Sequence, residues 1–492
     1  LHVFYSKNAE KNAELIAYNV FMLNNVMSFF KKRWSRENGY KQVLFIAFPL
    51  ILSTGSWSIQ QFVDRMYLSW YSPDALAAAV PTGLLSFTIV SFFLGTSGYA
   101  NTFVAQYIGA GRSKRVGPAM WQGIYIAIIG GLVVASTVFL ADLIFDFVGH
   151  DPAVKALEKE YWKYLAIGGF FPIGKAAVSS FFNGRGRTYP VLWSSLVGMS
   201  INVVLNYILI FGKLGLPEMG IGGAGLATII SELCSFIMLL YMALSGKNNA
   251  KFNTISGYRF DKLLFFRLIR FGIPNGIQFS LDILAFSIFI LLIGRLGTPE
   301  LAASNIALNI SMLSFMPMIG MGITVSILVG QSLGGNRPDM AKRATFSALQ
   351  MASLYMGSIA FLYVIVPQLF IYPFSAQADL VEFQEIRIHA MIVLKFLAAW
   401  TILDSIAIVI SSALKGAGDT RFIMFAMLGI SITFLILPTY IALEVFDLGL
   451  TAAWSIGLAY MISLAVAYGL RYKTGKWTSM KVIEQPPSPE VV

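Results

Sequence analysis

The chain has 492 residues; 57% are hydrophobic, only 12% are charged, and the mean hydropathy is +0.69. A soluble protein carries about twice that charged share, so a soluble globule, a disordered chain, a coiled coil and a disulfide scaffold are all excluded. The net charge of +11 is concentrated in loops on one side of the predicted spans, which is the positive-inside pattern of a membrane protein and not a nucleic-acid footprint.

The single cysteine, Cys234, rules out an intramolecular disulfide and a cysteine-rich metal site. His2, His150 and His389 lie far apart, which speaks against a histidine metal centre or a catalytic triad. Neither an enzyme nor a bound cofactor is expected.

In chain order, residues 1–41 read as a cytoplasmic tail. They hold no long apolar core and no small-residue cleavage site, so they are not a signal peptide. Met27, followed by the basic run Lys31-Lys32-Arg33, would make a natural cytoplasmic start, and residues 1–26 are expected to be dispensable. A helix needs about 20 apolar residues to cross a bilayer. Twelve stretches qualify, near 42–68, 76–105, 117–141, 162–183, 190–211, 220–245, 268–294, 301–330, 345–372, 387–414, 421–444 and 449–470. The predicted fold is an all-α integral membrane protein. A first six-helix lobe covers 42–245, a cytoplasmic linker 246–267, a second lobe 268–470 and a cytoplasmic tail 471–492. Within the linker, Lys262-Leu-Leu-Phe-Phe-Arg267 reads as an interfacial segment.

The two lobes repeat one another. At one constant offset, Pro49 matches Pro274, Leu76-Ala77-Ala78 matches Leu301-Ala302-Ala303, and Gly95 matches Gly320. Val104-x-Gln106-x-x-Gly109-x-x-Arg112 matches Val329-x-Gln331-x-x-Gly334-x-x-Arg337 at the same offset. At a slightly longer offset, Ser179-Ser180-x-x-x-Gly184-x-Gly186-x-Thr188 matches Ser411-Ser412-x-x-x-Gly416-x-Gly418-x-Thr420. Six spans separate the copies, so the repeats are parallel, as in transporters that rock two bundles about a central site. Ser72-Pro73-Asp74 and Thr298-Pro299-Glu300 read as helix starts capped by Ser72 and Thr298. The paired glycines read as tight turns. Pro81, Pro172 and Pro317 read as kinks or hinges.

Ionisable residues inside a membrane cost about 2.5–3.5 kcal/mol each on insertion scales and point to function. At 1.5 Å per helical residue, Asp404 lies roughly 16 Å and Asp282 roughly 18 Å into the membrane. Both are in the second lobe at one level, where they can share a cavity. Two carboxylates in a poorly hydrated cavity resist joint ionisation, so the pair can hold a proton, a sodium ion or a substrate cation. Asp64 lies nearer the outer end, and an interfacial carboxylate paired with Arg65 is an alternative reading for it. Lys175 and Glu232 fall near mid-depth in the first lobe, where neutralising one another is the simplest account. Lys395 reads as snorkelling. Asn202, Asn206, Thr228 and Gln278 supply polar groups that serve either a sodium shell or helix packing.

Four passages resemble multidrug and toxic compound extrusion (MATE) transporters, most closely the NorM-like branch. They are Val63-Asp64 through Ala78; Asn202 through Thr228; Gly272-x-Pro274 through Asp282 to Val329-Gly-Gln331-x-x-Gly334; and Leu414-Lys-Gly416-x-Gly418-Asp419-Thr420. The resemblance implies a V-shaped monomer in the cell membrane. It implies alternating access and export of small organic, often cationic, compounds against inward flow of H+ or Na+. The family's first-lobe acid falls on Asp64 and its second-lobe acids on Asp282 and Asp404. Asp282 is shorter than the glutamate usual at its position, and Asn206 stands where related members carry an aspartate. Both departures, with Arg65 and Lys175, favour coupling centred on Asp282 and Asp404. A flippase for lipid-linked oligosaccharides, from the same superfamily, is the alternative; a lipid-processing enzyme is a third reading, disfavoured by the scarcity of histidine.

Overall fold

The computed structural model describes residues 31, 33–148, 150–375 and 382–484. The expected start at Met27 and the ends of both tails lie outside them. Among the described residues every regular element is helical, as lipid requires of a chain that must satisfy its backbone groups within each segment.

Twelve segments are long and apolar enough to cross a membrane. In the first half they are α1 (Tyr40–Tyr71), α2 (Pro73–Gly109), α3 (Ser113–Asp146), α4 (Pro152–Asn183), α5 (Tyr189–Ile210) and α6 (Gly220–Ala243). In the second half they are α7 (Lys262–Ile293), α8 (Thr298–Gly334), α9 (Pro338–Ile365), α10 (Glu382–Ala417), α11 (Thr420–Val445) and α12 (Leu450–Lys473). The expected twelve-helix architecture in two repeated halves is therefore present.

Several boundaries differ from expectation for local reasons. Helix α7 starts at Lys262, because Asp261 caps it by accepting from Leu264 N at 3.0 Å. Lys262–Arg267 thus forms the entry to a spanning helix. Helix α8 starts at Thr298 with Gly297 as its cap residue, which corrects the expectation that Thr298 is the cap. Ser72 does occupy the cap position before α2, but its hydroxyl makes no capping bond. Helix α9 ends at Ile365, before Val366-Pro367; a residue preceding proline is pushed out of helical conformation. Pro81 and Pro317 lie inside continuous helices. Pro172 follows an interruption of α4 at Gly168-Gly169 and falls in the first turn after it, where a missing N–H costs nothing.

The two halves meet at the end of the bundle that carries the basic loops, and their contacts are reciprocal. A Cβ on Gly109 would collide with the Gln331 carbonyl oxygen, and one on Gly334 with that of Gln106. Deeper in, a Cβ on Gly95 would come within 2.8 Å of Gly276 Cα, and one on Gly320 within 2.8 Å of Ile51 N. Gln106 Nε2 donates to Gly416 O at 3.0 Å, and Gln331 Nε2 to Gly184 O at 2.8 Å. Each residue of one repeat thus touches the partner that its own counterpart touches in the other, as at a two-fold axis. The second glycine of each turn, Gly186 and Gly418, has φ of 72° and 112°, which a side chain would resist.

Farther in, Ser91 Oγ lies 2.9 Å from Ser280 Oγ, and Thr54 Oγ1 donates to Met316 O at 3.2 Å. Ser280 also reaches Thr88 O. Beyond this level no hydrogen bond or ion pair joins the halves among the described residues. Close backbone approach seals the bundle at its basic end.

Candidate functional site

In the first half, α1, α5 and α6 converge on one acid. Asp64 is 5% exposed and accepts a short hydrogen bond from Asn206 Nδ2. That amide also donates to Asn202 Oδ1 at 2.9 Å, one turn back on α5, and Asn202 Nδ2 donates to Thr228 Oγ1 on α6 at 3.4 Å. The spacing of 202 and 206 stacks the two amides on one helix face. Asn206 Oδ1 is buried without a partner. Arg65 is exposed and lies within electrostatic reach of Asp64, but among the described residues the two form no direct ion pair, since successive residues on a helix do not face one another. Tyr161, buried in α4, lies within electrostatic reach of Asp64; nothing in its spacing marks it out.

Lys175 of α4 and Glu232 of α6 pair separately, at 3.1 Å. Neither carries a bond to the Asp64 group, which makes them a self-contained neutral unit inside the first half. Lys175 makes no hydrogen bond or ion pair with Asp64 among the described residues.

In the second half, Asp282 of α7 and Asp404 of α10 lie within electrostatic reach of one another. Asp282 is exposed. Asp404 is half-buried. Neither receives a hydrogen bond from a described residue. Gln278, one turn before Asp282, is buried and its Oε1 has no partner. Three groups that the sequence reading did not assign to this pair also lie within electrostatic reach of Asp282: Lys415 near the end of α10, and Tyr460 and Tyr468 on α12. Lys395 is exposed, away from this group. Among the described residues no cluster of three or more His, Cys, Asp or Glu side chains could hold a metal ion. Any sodium site here would rest on one or two carboxylates plus neutral oxygens.

The segment after α12 crosses the sealed seam. Val482 N donates to Gln106 Oε1 at 2.8 Å, so Gln106 joins both halves and this segment. Val482 is 1% exposed and packs with Ile483 in the core of the first half. Glu484 accepts from Tyr107 Oη at 2.7 Å and from Arg115 Nε at 3.2 Å. Burial opposes its ionisation, but the Tyr107 hydrogen bond and the charges of Arg115 and Arg267 outweigh that and hold its carboxyl below the ordinary glutamate value. At the start of α7, Asp261 is likewise lowered from 3.8: burial is overcome by the Leu264 backbone N–H and by Arg115.

The MatE family profile matches residues 49–208 and 274–441, one block in each half. A probable multidrug resistance protein NorM of Bradyrhizobium diazoefficiens is 29% identical over 79% of this chain and 84% of its own length. A probable multidrug resistance protein NorM of Thermotoga maritima is 26% identical over 90% and 94%. Among solved structures, the outward-facing conformation of a multidrug resistance MATE family transporter superposes with TM-score 0.81 at 19% identity, covering 89% of this chain and 96% of that one. A MOP superfamily transporter from Pyrococcus furiosus, described as having a binding pocket of reversed polarity, superposes with TM-score 0.80 at 19% identity over the same shares. With both halves matched by the family profile, the chain belongs to the MatE family of membrane transporters.

Proposed function

We propose that the chain is a secondary antiporter that exports small organic compounds, mainly cations, in exchange for H+ or Na+ by alternating access. The observation that supports this reading is that Asp282 and Asp404, carboxylates on two spanning helices, lie within electrostatic reach of one another and take no hydrogen bond from a described residue. Two carboxylates so placed need a compensating cation. Lys415 supplies part of it; a proton, a sodium ion or an organic cation supplies the rest. Because these compete for the same negative charge, loading the coupling ion weakens the hold on the organic cation, and that opposition is antiport. With the bundle open at the end away from the basic loops, the acids take up the ion and release the cation; the loaded bundle then re-closes and opens at its basic end. The multidrug resistance names of the relatives agree with such cargo. The basic end faces the cytoplasm, both termini lie there, and the protein works as a monomer in the cell membrane without a cofactor.

Asp64, with Asn206, Asn202 and Thr228, is the secondary ion-handling group. The flippase alternative calls for a cationic space to receive anionic phosphates, and the acids at Asp282 and Asp404 argue against it. The test is efflux of a fluorescent organic cation from proteoliposomes, under a sodium gradient alone and a pH gradient alone. Drive by sodium only assigns a true ion shell to the carboxylate and amide oxygens. Drive by protons only leaves Asp282 and Asp404 as a titrating pair. Silence under both refutes the antiport reading and favours the flippase.

A further inference from the structure

At the basic end of α7, Phe266, Arg267, Arg270, Phe271, Lys481 and Val482 line a cleft of about 510 Å³, within the size range of small-molecule sites. Three of these side chains are cationic. Arg267 lies 3.6 Å from Glu484, a carboxylate already shared with Arg112 and Arg115. Arg270 and Lys481 have no carboxylate within ion-pair distance among the described residues. Lys481 Nζ donates to Asn336 Oδ1, and an ammonium has further protons to give. The cleft therefore keeps an excess of positive charge.

Its outer side faces lipid. Leu263 (85% exposed), Phe266 (56%), Arg270 and Ile273 stand at three- and four-residue spacing on α7, and the exposed face continues through Leu284 and Leu291. An apolar stripe along a spanning helix meets acyl chains, and a cation at its end sits at headgroup level. Just before the helix, Tyr258 and Phe260 are exposed beside Arg259 and Lys262, the mixture of aromatic and basic groups that seats a segment in the interface.

We propose that Arg267, Arg270 and Lys481 hold the phosphate of an anionic phospholipid from the adjoining leaflet, in a cleft that the docked C-terminal segment completes. Two of the cations come from α7. The third comes from the segment whose next residue, Val482, bonds Gln106 across the seam. Occupancy by lipid therefore stabilises that segment in place, and with it the sealed end of the bundle.

The test uses the full chain, delipidated in detergent and titrated with phosphatidylglycerol, phosphatidylcholine or inorganic phosphate. Native mass spectrometry reads bound lipid and thermal unfolding reads stability. Phosphatidylglycerol should be retained about tenfold over phosphatidylcholine and should raise the Tm. The double variant Arg270→Gln/Lys481→Gln should bind the two lipids equally. The double variant Arg259→Gln/Lys262→Gln removes the same charge from the same interface outside the cleft and should keep the preference. The unliganded Tm of each variant reports that it is folded. Three results overturn the proposal: an undiminished preference in the first variant, an equal loss in the second, or a Tm rise with inorganic phosphate equal to that with the lipid, which would make the ligand a soluble anion.

Discussion

The two halves share one architecture and treat their acids differently. In the first, Asp64 is buried and clamped by the Asn206 amide, and the only other mid-span charges, Lys175 and Glu232, neutralise each other. In the second, Asp282 and Asp404 receive no hydrogen bond from a described residue, and Asp282 is exposed. A carboxylate held by an amide must break that bond to change partners, whereas an unclamped pair exchanges its cation freely. The comparison teaches that a repeated fold sets where acids can be placed, while the residues one turn away decide whether they are fixed or available.

The sharpest way to break the comparison is to neutralise the acids in turn. Asp282→Asn or Asp404→Asn should abolish ion-driven efflux in proteoliposomes with expression unchanged, while Asp64→Asn should cost less than about tenfold, or about 1.4 kcal/mol. Equal losses in both halves would dissolve the distinction. The self-neutralised pair of the first half comes next. Removing one partner of a buried pair costs about 3–5 kcal/mol, whereas apolar replacement of both is nearly neutral. Since Lys175 and Glu232 are partly accessible, Glu232→Gln should cost about 3 kcal/mol or less. Lys175→Met/Glu232→Leu should recover most of it, as measured by thermal unfolding; additive losses would show that the pair serves something beyond its own neutrality.

What the halves share can be probed at their seam. Gly109→Ala and Gly334→Ala each drive a methyl into a backbone carbonyl, an overpacking worth about 1–3 kcal/mol. Both should shift spin-label distances across the basic end toward separation, and by similar amounts because the contacts are reciprocal. Gly357→Ala has nothing within 4 Å and should be neutral or slightly stabilising. The smallest effect concerns the C-terminal segment. The native fold holds the Glu484 carboxyl below the ordinary glutamate value. Its contribution is therefore complete above the unfolded value and is lost as pH falls through the lower native one. Melting curves of the wild type should weaken below about pH 4.5 relative to Glu484→Gln. Parallel curves would detach Glu484 from stability.

Much of the site was legible because membrane physics is severe. Mid-depth charges such as Asp282, Asp404, Lys175 and Glu232 stand out where almost every residue is apolar, and counting residues along a helix places them in depth. Direction around the helix axis was not legible. The neighbour in sequence made Arg65 a plausible partner for Asp64, whereas the fold supplies Asn206 from α5. Gln106, Gln331 and the repeated glycines were visible as a pattern, but their reciprocal contacts exist only between repeats. Nothing in the sequence pattern marked Lys415 as lying within electrostatic reach of Asp282. The docking of Val482 and Glu484 had no signal at all, since a short polar-apolar stretch after the last span has no periodicity to read.

The sequence by itself determined that this protein lies in a membrane, that twelve helices cross it in two parallel repeats, and at what depth its charges stand. Those follow from hydropathy and helical rise, which are properties of each segment alone. Only the tertiary structure decided which acid is clamped and which is open, how the two glycine-glutamine motifs interlock, and that the C-terminal segment spans the seam. These depend on helix rotation and on contacts between residues far apart in the chain. Close packing sets both, and no local pattern encodes either.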